Sequence, residues 1–304
     1  LVRIYHSTLH WSTATLEDKI CPMKNSTIAF IGGGNMAYSL IGGLVAGDCP
    51  ASNIRVADPN NETLEAMQQQ FGITPFPADN PGAIAEVDAI VLAVKPQILA
   101  TVTKEVGEVL QNSHGKAPLL ISIAAGVRTH DIERWLGGDT QAVVRTMPNT
   151  PALLQSSATG LYANRHVSEQ QKNLAESILR AVGTTAWLEE EAQLDAVTAL
   201  SGSGPAYFFL FMEAMEAAAQ ELGLPQETAR MLTLQTAFGA AKMALERPES
   251  SAELRRKVTS PGGTTEAAIG SFQQQELEAI VTQAMNAARD RSIELADQLG
   301  KENP

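Results

Sequence analysis

Two glycine-bearing stretches carry the chemistry available to this sequence. The first is Gly32-Gly33-Gly34-Asn35-Met36-Ala37, directly after the apolar run Ile28-Ala29-Phe30-Ile31. Gly-x-Gly-x-x-Ala between a strand and a helix is a dinucleotide-binding fingerprint. Gly32 permits the tight turn, Gly34 lets backbone approach a pyrophosphate, and Ala37 keeps the helix close to the strand. The unpaired N–H groups at the helix start then face the phosphates. The second stretch is Val258-Thr259-Ser260-Pro261-Gly262-Gly263-Thr264-Thr265. Gly262 and Gly263 free the backbone there, and successive N–H groups can hold a carboxylate without an arginine. The hydroxyls of Ser260 and Thr265 can donate or accept. Thr265 before Glu266 is also helix-capping chemistry, but a bare cap does not require the whole run.

Other loops belong beside the first stretch. Ala93-Val94-Lys95-Pro96 ends an apolar strand, and Ile123-Ala124-Ala125-Gly126 ends another. Ligands of open α/β sheets lie beyond such strand ends, so both loops are expected to flank the nicotinamide half of a dinucleotide. Asp58 closes the second strand, where an acid bonds the adenosine ribose 2′-OH of NAD-binding sheets; it can equally cap the next helix through Asp58-Pro59. Met147-Pro148-Asn149-Thr150-Pro151 follows a further strand. Asn149 there is either a ligand-facing amide or part of a rigid turn, and the residues leave both open. The five histidines show no metal spacing, no metal site is expected, and no Ser-His-Asp set is visible. That pattern suits a redox step whose hard chemistry is carried by a cofactor.

The elements that must position these loops alternate. Strands are expected at Ile28–Ile31, Asn53–Ala57, Val87–Val94, Leu119–Ala124, Ala142–Thr146, Gly160–Ala163 and Thr184–Leu188. Helices are expected from Ala37, Glu62, Leu99, Asp131 and Ser168, with Asp79-Asn80-Pro81 as a turn. Such alternation means an α/β fold with a mostly parallel, doubly wound sheet. From Glu189 onward the pattern is helical only: 194–200, 205–222, 226–245, 251–258, 265–271 and 275–299. Several of these helices are apolar on more than one side (Ala206, Phe209, Met212, Ala217; Ala237, Ala240, Ala241), which calls for a covering partner subunit.

Composition narrows the class. The chain has 304 residues, room for two domains, and is 44% hydrophobic. A net charge of −12 with no Lys/Arg cluster argues against nucleic acid. The most apolar segment, Pro205–Met212, is too short to span a membrane. Cys21 and Cys49 form no disulfide framework, which suits the cytoplasm. Residues 1–22 lack the pattern of the rest and of a secretory signal, and are expected to be a disordered leader or to lie upstream of a working start at Met23. The domains expected are a dinucleotide-binding domain over 23–188 and a helical substrate and dimerisation domain over 189–304.

The chain resembles the pyrroline-5-carboxylate reductases. The resemblance is carried by Leu254-Arg255-Arg256-Lys257-Val258-Thr259-Ser260-Pro261-Gly262-Gly263-Thr264-Thr265, with Ile31–Met36, Ala93–Pro96, Ser122–Gly126, Met147–Pro151 and Leu200–Tyr207, in the family's order. It implies a Rossmann-type sheet domain and an all-helical dimerisation domain. It further implies reduction of 1-pyrroline-5-carboxylate to L-proline, the last step of proline biosynthesis, with NADPH as cofactor and NADH as an alternative. Ile31, Gly32, Gly33, Gly34, Asn35 and Met36 would hold the pyrophosphate, and Asp58 and Asn80 would meet the adenosine side. Ala93, Val94, Lys95, Pro96, Ile123, Ala124 and Ala125 would line the nicotinamide half. Ser260, Gly262, Gly263, Thr264 and Thr265 would bind the substrate carboxylate, with the catalytic Thr265 hydroxyl on the ring nitrogen. A homodimer, or a decamer built of dimers, is implied too. Two other readings share the first half. A hydroxy-acid or ketopantoate-type NADP-dependent reductase usually places a lysine where this chain has Ser260–Thr265. A non-catalytic NADPH-binding regulatory module has no use for that loop.

Overall fold

The structure, a computed structural model, describes residues 25–113 and 117–302. The leader over 1–22, Met23, Cys21, His6, His10 and His114 lie outside the described residues. The described residues form two compact units, one of residues 206–284 and one of residues 25–205 together with 285–302.

The larger unit is built on an eight-stranded sheet: β1 (Ile28–Ile31), β2 (Ile54–Asp58), β3 (Thr74–Pro77), β4 (Ala89–Leu92), β5 (Leu119–Ser122), β6 (Val143–Met147), β7 (Ser157–Ala163) and β8 (Gly183–Trp187). The order across it is β3-β2-β1-β4-β5-β6-β7-β8. All neighbours run parallel except β6 and β7. The helices are α1 (Asn35–Ala46), α2 (Asn61–Phe71), α3 (Asn80–Ile84), α4 (Pro96–Gln111), α5 (Thr129–Trp135), α6 (Glu169–Arg180) and α7 (Gln193–Val197). Strand alternation explains the layering. Ile28 and Phe30 face Leu40, Leu64 and Ile178 on one side. Ala29 and Ile31 face Ile84, Leu99 and Ile132 on the other. β1 is therefore buried on both faces, as an apolar run in a parallel sheet must be. Each large side chain on it contributes roughly 1.5–3 kcal/mol by leaving water.

Four local expectations are corrected. β3 was not anticipated because Pro75 and Pro77 interrupt its pattern; it is an edge strand, where missing N–H donors are tolerated. Asp79-Asn80-Pro81 is not a free turn but the start of α3, with Asp79 Oδ1 accepting from the Gly82 N–H at 2.8 Å. Asn60, not Asp58, caps α2. The helix expected over 194–200 ends as α-helix at Val197 and continues as one π-turn, Thr198–Gly202.

The rest of the chain is helical: α8 (Gly204–Glu221), α9 (Gln226–Glu246), α10 (Ser251–Lys257), α11 (Thr264–Gln274) and α12 (Leu277–Glu302). Ser250 and Glu253 close a capping box on α10, and the Ser250 hydrogen bond holds the Glu253 carboxyl below its usual range. Lys257 does the same for Glu249. These helices bury little within one chain. Gly204 is the one buried residue of α8, while Phe208, Phe209 and Phe238 are 62–68% exposed. So many large apolar side chains left exposed on two helices mark an interaction face. No helix among the described residues is long and apolar enough to cross a membrane. We therefore expect light scattering to give a solution mass of at least two chains; a mass of one chain at micromolar concentration would contradict this.

Candidate functional site

The fingerprint turn sits where the sheet demands it. The Gly32 N–H donates to the Ala57 carbonyl at 2.8 Å, and the Ala93 N–H donates to the Ile31 carbonyl at 2.8 Å. The ends of β1, β2 and β4 thus meet at Gly32. Its φ is +102°, and a Cβ there would lie 2.8 Å from the Ala93 carbonyl oxygen. Only glycine fits. Around Gly34 the reverse holds: a Cβ would meet nothing within 4 Å, so this backbone faces open space. α1 begins at Asn35 with its first N–H groups lacking helical acceptors. A closed turn under an open backbone and a bare helix start is a cradle that fits a pyrophosphate.

Asp58 does not cap α2. Its Oδ2 accepts from the Gly33 N–H at 2.7 Å and its Oδ1 from the Asn60 N–H at 2.8 Å. The carboxylate thereby braces the fingerprint turn from β2. Asn80 opens α3, and its amide donates to Glu105 at 2.7 Å. On the far side of β1, Lys95 precedes Pro96 at the start of α4, and the Lys95 side chain is exposed. The Ile123 N–H donates to the Leu92 carbonyl, which brings the 123–125 loop beside the 93–96 loop. The residues expected to hold the cofactor, 31–36, 58, 80, 93–96 and 123–125, therefore lie together along the C-terminal edge of five parallel strands.

A cavity of about 430 Å³ opens beyond the ends of β4 and β5. Pro96, Gln97, Ala125 and Gly126 form one side; Thr198, Ser203, Arg291, Leu295 and Gln298 form the other. This wall, from the π-turn and α12, was not anticipated, because residues so distant in sequence carry no local mark of shared lining. It is pinned by Ser292, whose hydroxyl donates to the buried Asp195 carboxylate at 2.7 Å, and by Arg128 with Asp297 at 2.7 Å.

The structure resolves the alternatives for Asn149. Its Oδ1 accepts from the Ser157 hydroxyl and the Ala158 N–H, both at 3.0 Å, and its Nδ2 donates to the Ser201 carbonyl at 2.9 Å. Asn149 is a structural pin between the β6–β7 link and the π-turn.

The second loop belongs to the helical unit of residues 206–284. Ser260-Pro261-Gly262-Gly263 is a β-turn closed by the Gly263 N–H on the Ser260 carbonyl at 3.0 Å, with Gly262 at φ +71°. Proline then glycine is what a type II turn requires. α11 starts at Thr264 with Gly263 as its N-cap, so Thr265 is the second helical residue and not a cap. Of the donors expected for a carboxylate, two are engaged: Gly263 as above, and Gly262, whose N–H donates to Glu266 Oε2 at 2.7 Å. The N–H groups of Thr264 and Thr265 have no helical acceptor, and the Ser260, Thr264 and Thr265 hydroxyls make no hydrogen bond among the described residues. Arg255, Arg256 and Lys257 in the last turn of α10 add positive charge just ahead of the loop. No cluster of His, Cys, Asp and Glu fit for a metal occurs among the described residues.

Comparison with known proteins adds to this geometry. The family model for pyrroline-5-carboxylate reductase dimerisation matches residues 191–295, and that for NADP oxidoreductase, coenzyme F420-dependent, matches residues 27–126. The pyrroline-5-carboxylate reductase of Pseudomonas aeruginosa is 54% identical over 279 residues, covering 92% of this chain and all of that protein. A solved pyrroline-5-carboxylate reductase from Coxiella burnetii superposes with a TM-score of 0.85 at 46% identity, covering 89% of this chain and 98% of that one. The Plasmodium falciparum pyrroline carboxylate reductase, solved with NADP bound, gives 0.76 at 28% identity, covering 90% and 99%.

Removing the Asn149 amide takes the acceptor from the buried Ser157 hydroxyl and breaks the part-buried bonds to the Ala158 N–H and the Ser201 carbonyl. Asn149→Ala is expected to lower unfolding free energy by about 1–3 kcal/mol, measured by urea denaturation; a loss below ~0.5 kcal/mol would refute the pin.

Proposed function

The chain belongs to the pyrroline-5-carboxylate reductase family, and from that premise we propose that it reduces 1-pyrroline-5-carboxylate to L-proline, the final step of proline biosynthesis. The observation carrying this reading is coverage: the likeness runs the whole length of the P. aeruginosa relative, through the sheet domain and the helical domain alike. The hydride donor is NADPH, with NADH as an alternative; the NADP held by the Plasmodium relative and the cradle at Gly32–Asn35 support this. Cofactor binding belongs to 23–188, and substrate binding and dimerisation to 189–304. Dimers form through the helical domain, with a decamer of dimers as the larger assembly, and the enzyme works in the cytoplasm.

The roles follow from charge. The substrate is a cyclic imine bearing a carboxylate. The N–H groups of Thr264 and Thr265 at the start of α11 receive the carboxylate, aided by the Ser260 and Thr264 hydroxyls and by the helix dipole. The imine nitrogen, once protonated, donates to the Thr265 hydroxyl, which orients the ring and favours the charged, electrophilic form. When bound, the reduced nicotinamide supplies the hydride that adds to the imine carbon, leaving the nitrogen as the amine of proline. No histidine is required, because the substrate enters already carrying its proton. Backbone at 93–96 and 123–125 positions the nicotinamide face and excludes water from it.

Two outcomes are expected. Loss of NADPH absorbance should depend on pyrroline-5-carboxylate and not occur with a 2-keto acid; the opposite selectivity would overturn the reading. Thr265→Ala should lower kcat/KM on the order of tenfold or more for one transition-state hydrogen bond, with Thr265→Ser recovering most of it; unchanged kinetics would remove Thr265 from the mechanism.

A further inference from the structure

We propose that Asp58 is a specificity-determining residue that holds down the preference for NADPH, so that this chain binds NADH nearly as well. The proposal rests on reading the Gly32–Asn35 turn as a dinucleotide site. In a sheet of order β3-β2-β1-β4 the adenosine half lies over β2, and the residue ending β2 meets the ribose 2′ position. Here that residue is a carboxylate held in place twice, by the Gly33 N–H at 2.7 Å and the Asn60 N–H at 2.8 Å. It cannot swing away without undoing the turn that holds the pyrophosphate. A Cβ on Gly33 would lie 3.0 Å from Thr63 Cγ2 and 3.4 Å from Asp58 Oδ2, so turn, acid and α2 form one packed unit.

A 2′-phosphate at this position needs a cation, and the segment that carries the end of β2, α2 and β3 supplies none. Between Arg55 and Lys95 the sequence contains no lysine or arginine, while Asp58, Glu62 and Glu65 are all acidic. The Arg55 guanidinium is engaged with the Ala83 and Ala85 carbonyls, at 3.3 and 2.7 Å. Lys95 follows β4, across β1 from Asp58. A ribose hydroxyl can instead donate to Asp58. The negative charge thus costs NADPH binding energy that NADH does not lose.

The test is direct binding to the full chain, by titration calorimetry with NADH and NADPH. Wild type should bind the two with Kd values within about fivefold of each other. Asp58→Asn keeps a side-chain oxygen for the Gly33 N–H but removes the charge, and should shift the ratio toward NADPH by about tenfold. On wild type, 2′,5′-ADP should compete no better than 5′-ADP, a comparison independent of any variant. An Asp58→Asn change that alters both affinities equally would mean the acid only braces the turn and would overturn the proposal. So would a wild-type preference for NADPH, or for 2′,5′-ADP, of more than ~30-fold. Failure of either cofactor to bind would instead overturn the reading of the turn, and the proposal with it.

Discussion

The reactive edge of this protein depends on one close approach, the backbone of Gly32 against the carbonyl of Ala93. No side chain fits between them. Because none is present, β1 and β4 can end at the same level, and the turn out of β1 can pass directly into α1. The start of α1 and the loops after β4 and β5 then stand along one edge of the sheet. A methyl group at position 32 would push the turn off β4 and separate the two halves of the cradle.

Both glycine turns that carry the proposed chemistry are braced in the same way. A carboxylate accepts from one glycine N–H in each: Asp58 from Gly33 and Glu266 from Gly262, both at 2.7 Å. Charge-assisted bonds of this length are the stronger kind. They immobilise flexible backbone before any ligand arrives, so the ordering entropy is already spent when one binds. Each brace also consumes one donor and leaves a negative charge nearby. Binding an anion at such a turn is therefore a compromise between order and charge, and that compromise is what makes Asp58 matter for the choice of cofactor.

The two units differ in how they hold themselves together. The sheet unit buries its central strands under helices on both faces and ties buried polar groups into short networks such as Asn149 with Ser157 and Ser201. The helical unit leaves Phe208, Phe209 and Phe238 largely exposed. A family model for dimerisation falls on that region, and a second copy of the chain is the cover that apolar helices of this kind require.

Much of this was legible in the sequence, for identifiable reasons. Strand period, the Gly-x-Gly-x-x-Ala spacing and the Ser-Pro-Gly-Gly-Thr-Thr run are local signals, so β1, α1, the sheet class and both glycine loops could be read directly. β3 escaped because its two prolines obey an edge-strand rule that only sheet order reveals. The role of Asp58 was open because an acid after a strand can cap a helix, meet a ribose or brace a turn; the structure removes the cap, which Asn60 supplies, and adds the brace through the 2.7 Å bond from Gly33. Asn149 was open for the same reason, its partners lying 8, 9 and 52 residues away. The far wall of the cavity, from Thr198 to Gln298, had no sequence mark as a shared lining, because its residues come from segments about ninety positions apart. The sequence alone determined where the two glycine turns and the strand ends lie, because turn chemistry and hydrophobic period depend on neighbours within a few positions. The tertiary structure decided which polar groups are already engaged and which remain to bind, because hydrogen bonds between distant segments exist only once the chain has folded.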